Sequence, residues 1–275
     1  MSGAFSASPL QRLLEAQAVP VMVGIAQRGP APAAPIRVRQ PFPDCRDVAA
    51  DHGLDARAIP FDGQARLAEL GCDGLLVACW PWIIPATILA EFPAGAFNLH
   101  PSLLPRYRGP DPLFWQLRDA VPESGVTLHR LAAAVDAGRI VGQRRVAIDE
   151  EQTEPGLERQ LGDLGGDLAV QLVQDLRMGT VQDRPQGREE ASYQPRPRAE
   201  DFRIPVTWSA RRAYRFMHAV EARRHPFDIV SDSGARRVRR ALAYRLRARL
   251  ARPPWSEDGE VLQVQFADGV LIAQR

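Results

Sequence analysis

Asn98 and His100 stand two residues apart at the end of a short apolar run, Ala96-Phe-Asn-Leu-His100, just before a loop that carries two prolines and a glycine. A strand turns every second side chain to the same face, so this spacing presents an amide and an imidazole together. Such a pair can hold a carbonyl oxygen and donate hydrogen bonds to it as it gathers negative charge. The end of a strand is also where open α/β sheets place their ligands. Further along, Gly125-Val-Thr-Leu-His-Arg-Leu131 reads as a strand, and Ala133-Ala-Val-Asp-Ala-Gly-Arg-Ile-Val141 turns back from it. Asp136 lies in that turn and Gly138 lets the backbone make it tightly. A carboxylate close to His100 would orient the imidazole and hold its proton-donating form.

The elements that must position these groups follow from the alternation of apolar β-rich runs with amphipathic segments, which predicts strand–helix units and a sheet covered by helices. Strands are expected at 20–26, 74–79, 96–100, 125–131 and 140–148, and helices at 9–16, 45–52, 64–70, 112–118 and 155–177. Asp44, Asp62 and Asp111 precede three of the helices as caps. Two stretches punctuate the chain. Gly29 to Pro43 carries five prolines and predicts an extended excursion, and Gly179 to Pro205, rich in Pro, Gln and Arg, predicts an extended linker. Beyond it, Ser209 to Ala222 has helical spacing, and Val261 to Ala273 reads as a hairpin turning at Asp268-Gly269. The expected division is 1–178, a linker at 179–203, and a small β-rich part at 204–275.

Hydrophobic residues make up 45% and charged residues 25%, the balance of a soluble globular chain rather than a disordered or fibrous one. No apolar run approaches the ~20 residues of a membrane span, and Met1 to Leu10 lacks the pattern of a signal peptide, so a cytoplasmic address is expected. Cys45, Cys72 and Cys79 are odd in number and widely spaced, which argues against a disulfide framework or zinc ribbon. The net charge of +2 is unevenly spread: residues 201–275 hold 15 Arg against 8 Asp and Glu. That segment is the basic part and could attract nucleic acid, although an Arg-rich solvated surface has the same composition. His52, His129, His218 and His225 have no motif around them and read as surface or packing residues.

The chain resembles the formyltransferases that use 10-formyltetrahydrofolate, above all those acting on methionyl-tRNA. The resemblance rests on Asn98-Leu-His100, Ser102-Leu-Leu-Pro-Arg-Tyr-Arg-Gly109 and Val135-Asp-Ala-Gly-Arg-Ile140, with Trp82-Ile-Ile-Pro85 matching a folate-contacting strand end and loop. It implies an α/β, Rossmann-like formyltransferase domain followed by a small β-barrel of oligonucleotide-binding type. It also implies catalytic roles for Asn98, His100 and Asp136. Folate contacts are implied for Trp82, Ile83, Ile84, Pro85, Ser102, Leu103, Leu104, Pro105, Val135 and Gly138. Arg106 and Arg108 could touch folate or an acceptor phosphate, or be solvated.

The implied reaction is attack of an amine on the formyl carbon, with the oxyanion held by Asn98 and His100, and with neither metal nor covalent nucleophile required. The acceptor implied is methionyl-tRNA, held in part by the Arg-rich C-terminal segment. The alternatives are a small amine such as an amino sugar or amino acid, hydrolysis of formyltetrahydrofolate, or non-catalytic folate or RNA binding. The complete trio argues against the last. The family opens with a glycine-terminated apolar strand and usually continues past the position of Leu271. This sequence departs from both patterns, so either its recorded start is late or its sheet is built without that strand.

Overall fold

The computed structural model describes residues 4–26, 44–59 and 71–275. The expected helix at 64–70, its cap Asp62, and the whole proline-rich stretch from Gly29 to Pro43 lie outside these residues. Helix α1 (Ala4–Glu15) leads to β1 (Val23–Ala26), which pairs in parallel with β2 (Ala56–Ile59). Between them, α2 (Cys45–Asp51) starts where expected: the Asp44 carboxylate accepts from the N–H groups of Arg46 and Asp47, while the Asp47 carboxylate accepts from Asp44 N.

The sheet that carries the site has the order β3-β4-β5-β6: β3 (Gly74–Ala78), β4 (Gly95–His100), β5 (Glu123–Arg130) and β6 (Ile140–Ala147). Strands β3 and β4 are parallel and joined through α3 (Ala86–Leu89); β5 and β6 continue antiparallel. The β1–β2 pair is a separate two-stranded sheet. Neither β2 nor α3 is expected from the sequence, because four residues are too few to display a period. Helix α4 (Pro112–Asp119) follows the loop after β4, and α5 (Glu154–Met178) starts at Thr153, whose hydroxyl accepts from Gly156 N. Its stripe of Leu157, Leu161, Leu168 and Leu172 shares a buried core with Phe97, Leu99, Val126 and Leu128. Because β4 spends Phe97 and Leu99 on that core, alternation leaves Asn98 and His100 on the opposite face.

The C-terminal part is β-rich around α6 (Ala210–Ala219). Strands β7 (Arg203–Pro205), β8 (Phe227–Ser231) and β9 (Gly234–Val238) form one sheet. A second, antiparallel sheet has the order β10-β13-β12-β11, from Arg240–Leu246, Gly269–Gln274, Val261–Phe266 and Trp255–Asp258. Among the described residues no backbone ladder closes the two into the barrel the resemblance implies. This part shares its core with the rest: Phe114 of α4 meets Phe202 at 5.1 Å and Phe216 at 5.5 Å between ring centroids. Burying each such ring contributes about 1.5–3 kcal/mol, so the two parts stabilise one another.

A buried ion cluster crosses the same boundary. Arg223 donates in bidentate fashion to Asp111, at 2.9 and 2.7 Å, and to Glu154 as well. Asp111 is therefore not the cap expected for α4, since its carboxylate is taken by the guanidinium and makes no capping bond. Glu154 is fully buried, and burial pushes its carboxyl up to about 7 against the pull of Arg223.

Candidate active site

Strands β4 and β5 are antiparallel with Asn98 opposite His129 and His100 opposite Thr127, which puts all four side chains on one face. Asn98 Nδ2 lies 3.1 Å from His129 Nε2. The other ring nitrogen, Nδ1, lies 2.9 Å from the Arg130 carbonyl, which can only accept, so Nδ1 carries the hydrogen and Nε2 is the acceptor for the Asn98 amide. His129 is 1% exposed, and its pKa is lowered to about 4, first by burial and then by the neighbouring His100, against the opposing pull of Asp136. A neutral His129 thus fixes which end of the Asn98 amide presents its donors, with one N–H of Nδ2 to spare.

His100 is buried, with Nε2 donating to the Tyr107 carbonyl at 2.8 Å and Nδ1 3.6 Å from Asp136 Oδ2. Asp136 Oδ1 is 3.7 Å from His129 Nε2, and Oδ2 accepts from Gly109 N at 2.9 Å. The carboxylate therefore sits between the two imidazoles and is tied to the end of the loop after β4. The sequence-predicted trio comes together, joined by a histidine the sequence reading assigned to packing. The signal for His129 was present: alternation within 125–131 puts Thr127 and His129 on one face.

Two positions in this arrangement admit only glycine. Gly109 has φ +111°, and a Cβ there would stand 2.2 Å from the Gln194 carbonyl oxygen; at Gly138 it would stand 1.8 Å from the Arg130 carbonyl oxygen. The loop between His100 and Gly109 is stapled from inside. Thr127 Oγ1 donates to the Ser102 carbonyl at 2.7 Å and accepts from Leu104 N and Gln143 Nε2. Ser102 is fully buried and donates to the Arg106 carbonyl, and Leu104 is 3% exposed. These two shape the loop from behind. Leu103 and Pro105 are partly exposed.

Of the strand end after β3, Trp82 stacks edge-on with Trp80 at 5.2 Å, Ile83 is 66% exposed, and Pro85 starts α3. Ile84 is buried in a small core with Val77, Ile88, Phe92 and Ala96. Val135 is exposed beside Asp136. Burial pushes the Cys79 thiol up to about 12, so it is no thiolate at neutral pH. His52, His218 and His225 each face a backbone carbonyl, as packing residues do.

The stretch from 180 to 194, with one turn at 188–191, runs along the site. Arg184 exchanges both backbone hydrogen bonds with Ile140, and Arg108 bonds through its backbone to Ser192 and Gln194. The arginines from 211 onward are largely engaged. Arg211 pairs with Glu150, Arg236 with Glu257 and Arg237 with Asp228; Arg215 donates to the Ile148 and Asp149 carbonyls. Arg212 lies 3.8 Å over the Trp208 ring. Arg211, Arg212, Arg215 and Arg223 of the basic segment are thus committed to internal contacts, which charge counting cannot reveal. Arg239, Arg245, Arg247, Arg249 and Arg252 are exposed and form no ion pair with a described residue. Among the described residues no helix is long and apolar enough to cross a membrane, and no group of three His, Cys, Asp or Glu is placed to hold a metal.

The mixed sheet is backed by one long helix, and an amide, two imidazoles and a carboxylate meet at its strand ends. Residues 7–173 match the family described as Formyl transferase, and the chain belongs to it. It is 37% identical over 150 residues to the methionyl-tRNA formyltransferase of Nitratidesulfovibrio vulgaris, an alignment covering 53% of this chain and 46% of that protein. The chain thus matches about half the length of this curated relative. Among solved structures, a sugar 3N-formyl transferase, WlaRD, superposes with a TM-score of 0.69 at 18% identity, covering 100% of this chain and 94% of that one. The N-formyltransferase from Helicobacter canadensis gives 0.64 at 18% identity, covering 86% and 84%. At such identity these likenesses establish the fold.

Proposed function

We propose that this protein transfers a formyl group from 10-formyltetrahydrofolate to an amine, with Asn98, His100 and Asp136 as the residues that carry the reaction. The observation that carries this reading is the meeting of the three side chains in one cluster, although Asp136 arrives on a turn far along the chain from Asn98. The free N–H of Asn98 Nδ2 supplies a hydrogen bond to the formyl oxygen as it becomes an oxyanion. His100 transfers its Nε2 hydrogen bond from the Tyr107 carbonyl to the same oxygen. Asp136 holds His100 by its Nδ1 and takes up the proton that the amine loses, and that proton passes to N10 as the intermediate collapses, the bond from the formyl carbon to N10 breaks and tetrahydrofolate leaves.

For the folate, the exposed apolar groups Ile83 and Val135, with Trp82 and Pro85, form the wall for a flat ring, and Gly138 keeps the turn close. Leu103 and Pro105 line the loop side, while Ser102, Leu104 and Ile84 act from within the fold. The WlaRD structure was solved in the presence of 5-N-formyl-THF, which supports this choice of donor. In this reading residues 1–178 are catalytic, 179–203 connect, and 204–275 form the C-terminal domain of a cytoplasmic enzyme.

The acceptor we infer is the amino group of methionyl-tRNA, on the strength of the 37% identity to the Nitratidesulfovibrio enzyme. Its phosphates would meet exposed arginines such as Arg239, Arg245, Arg247, Arg249 and Arg252 rather than the arginines of α6. A second reading, a small amine such as an amino sugar, is favoured by the internal engagement of Arg211, Arg212, Arg215 and Arg223. Incubating the protein with 10-formyltetrahydrofolate and separate pools of aminoacyl-tRNA, nucleotide-linked amino sugars and amino acids, and following tetrahydrofolate release, tests the reading. Release with tRNA alone supports the first acceptor, and release with a small amine alone replaces it. Release in no pool refutes formyl transfer.

A further inference from the structure

Asp136 has a left-handed backbone, φ +49°, a region that residues other than glycine enter singly and that Asp tolerates better than most. Such conformations persist only where their surroundings hold them. Inside the turn the backbone makes one bond, Ala137 N to the Ala134 carbonyl at 3.3 Å, and Arg130 N to the Arg139 carbonyl at 2.9 Å closes its base. Gly109 N holds the carboxylate from the loop side, and Gln186, from the stretch that runs past the site, holds the backbone of the turn. Its Nε2 donates to the Asp136 carbonyl at 2.8 Å and to the Gly138 carbonyl at 2.7 Å. Its Oε1 accepts from Arg108 Nε at 3.1 Å and Arg108 Nη2 at 2.6 Å.

A primary amide has two N–H donors and one oxygen acceptor, and here both ends are used with matched polarity. Two carbonyls converge on the donors, and two guanidinium N–H groups converge on the oxygen. A carboxylate of the same shape would keep Arg108 and present an acceptor to two acceptors. An apolar chain of the same length would satisfy neither. Gln186 is itself fixed on both sides, by the Arg184–Ile140 backbone pair and by the Arg108–Ser192 and Arg108–Gln194 bonds. It therefore locks the loop after β4, through Arg108, to the turn that aims Asp136 between His100 and His129.

We propose that Gln186 is a positioning residue for the Asp136 carboxylate, setting the turn and the active-site loop in register with each other. The proposal rests on the reading that Asp136 carries chemistry. A displacement of about 1 Å at a reacting group costs on the order of 100-fold in rate. Gln186→Glu and Gln186→Met should each lower kcat by about 10- to 100-fold. The KM for 10-formyltetrahydrofolate should change less than kcat, because the turn that Gln186 holds carries only Val135 of the proposed ring wall, whose other members, Trp82, Ile83 and Pro85, lie on the loop before α3.

The test is a double-mutant cycle on the full chain, with 10-formyltetrahydrofolate and whichever acceptor pool supports turnover, alongside Asp136→Asn. If Gln186 acts through Asp136, Q186E lowers the wild-type rate and leaves the residual rate of D136N unchanged. The same loss in both backgrounds, or a rate for Q186E and Q186M equal to wild type while D136N is impaired, overturns the proposal and leaves the site reading standing. A fully active D136N overturns both. Thermal melts separate these outcomes from misfolding. Imidazole NMR signals give a readout independent of turnover: those of His100 and His129 shift in a folded Q186E, and unchanged signals count against the proposal.

Discussion

Replacing His129 with Gln keeps an acceptor for the Asn98 amide and removes the titration, so it isolates the charge state of this imidazole. The ring is 1% exposed, with Nδ1 committed to a carbonyl and Nε2 to the Asn98 amide, and its pKa is lowered from 6.5 to about 4. Between those two values the unfolded chain binds a proton that the folded chain does not. Stability therefore rises with pH across the window: the contribution is complete above about 6.5 and is lost as pH falls toward about 4. At about 1.4 kcal/mol per tenfold change in proton activity, the full window is worth about 3 kcal/mol. Urea unfolding of wild type and H129Q at steps from pH ~7.5 to ~4.5 measures it, and the difference between the proteins cancels the carboxylates common to both. Wild type should lose roughly 2–3 kcal/mol more than H129Q over that range. Parallel pH profiles would refute the neutral, amide-orienting His129. The companion variant His129→Phe takes the acceptor away, which costs about 1–3 kcal/mol for the stranded amide, and should lower turnover further than H129Q does.

Asn98→Ala and His100→Ala should each cut formyl transfer by at least ~100-fold, the scale for losing an oxyanion donor, with folate binding by titration little changed; near-normal turnover in either removes that residue from the mechanism. Arg223→Met should destabilise the fold by about 3–5 kcal/mol near neutral pH, because it strands Glu154 and Asp111 in the interior. With Arg223 in place Glu154 stands at about 7, and losing the guanidinium raises it further, so the cost should shrink as pH falls toward that value and the carboxyl takes up a proton; equal costs in urea at pH ~5 and ~8 would show that charge is not the cause. If tRNA is the acceptor, converting Arg245, Arg247, Arg249 and Arg252 to Ala should flatten the dependence of log affinity on log salt by about 0.7–0.9 per lost phosphate contact, while Arg211→Ala leaves the slope alone. Filter binding across a salt series decides this, and an unaltered slope in the quadruple variant moves tRNA off this surface.

What the sequence made legible was what depends on near neighbours. Spacing alone put Asn98 and His100 on one face of β4, the Asp44 cap and the α5 stripe followed from local pattern, and Gly138 marked the tight turn. What escaped depends on partners brought together by the fold. Asn98 meets His129 only through the antiparallel register of β4 and β5, and no local signal fixes that register. Asp111 has a capping residue's identity and position, yet a guanidinium from the far side of the fold takes its carboxylate.

The same physics explains why the net charge of residues 201–275 overstated their free positive surface. A composition counts Arg223 and Arg239 alike. One is buried between two carboxylates and the other is exposed, with no ion pair to a described residue. Desolvation makes a buried guanidinium dependent on its anions, so the interior selects which arginines are spent and leaves the remainder for solvent or a ligand. Gln186 follows the same rule in neutral form. In a stretch whose composition predicts only an extended linker, one amide becomes committed because two carbonyls and a guanidinium converge on it. A polar residue's role here is set by the partners that the fold leaves otherwise unsatisfied. That places the deciding information for this site in pairs such as Gln186 with Asp136 and His129 with Asn98, and a double-mutant cycle reads such pairs directly.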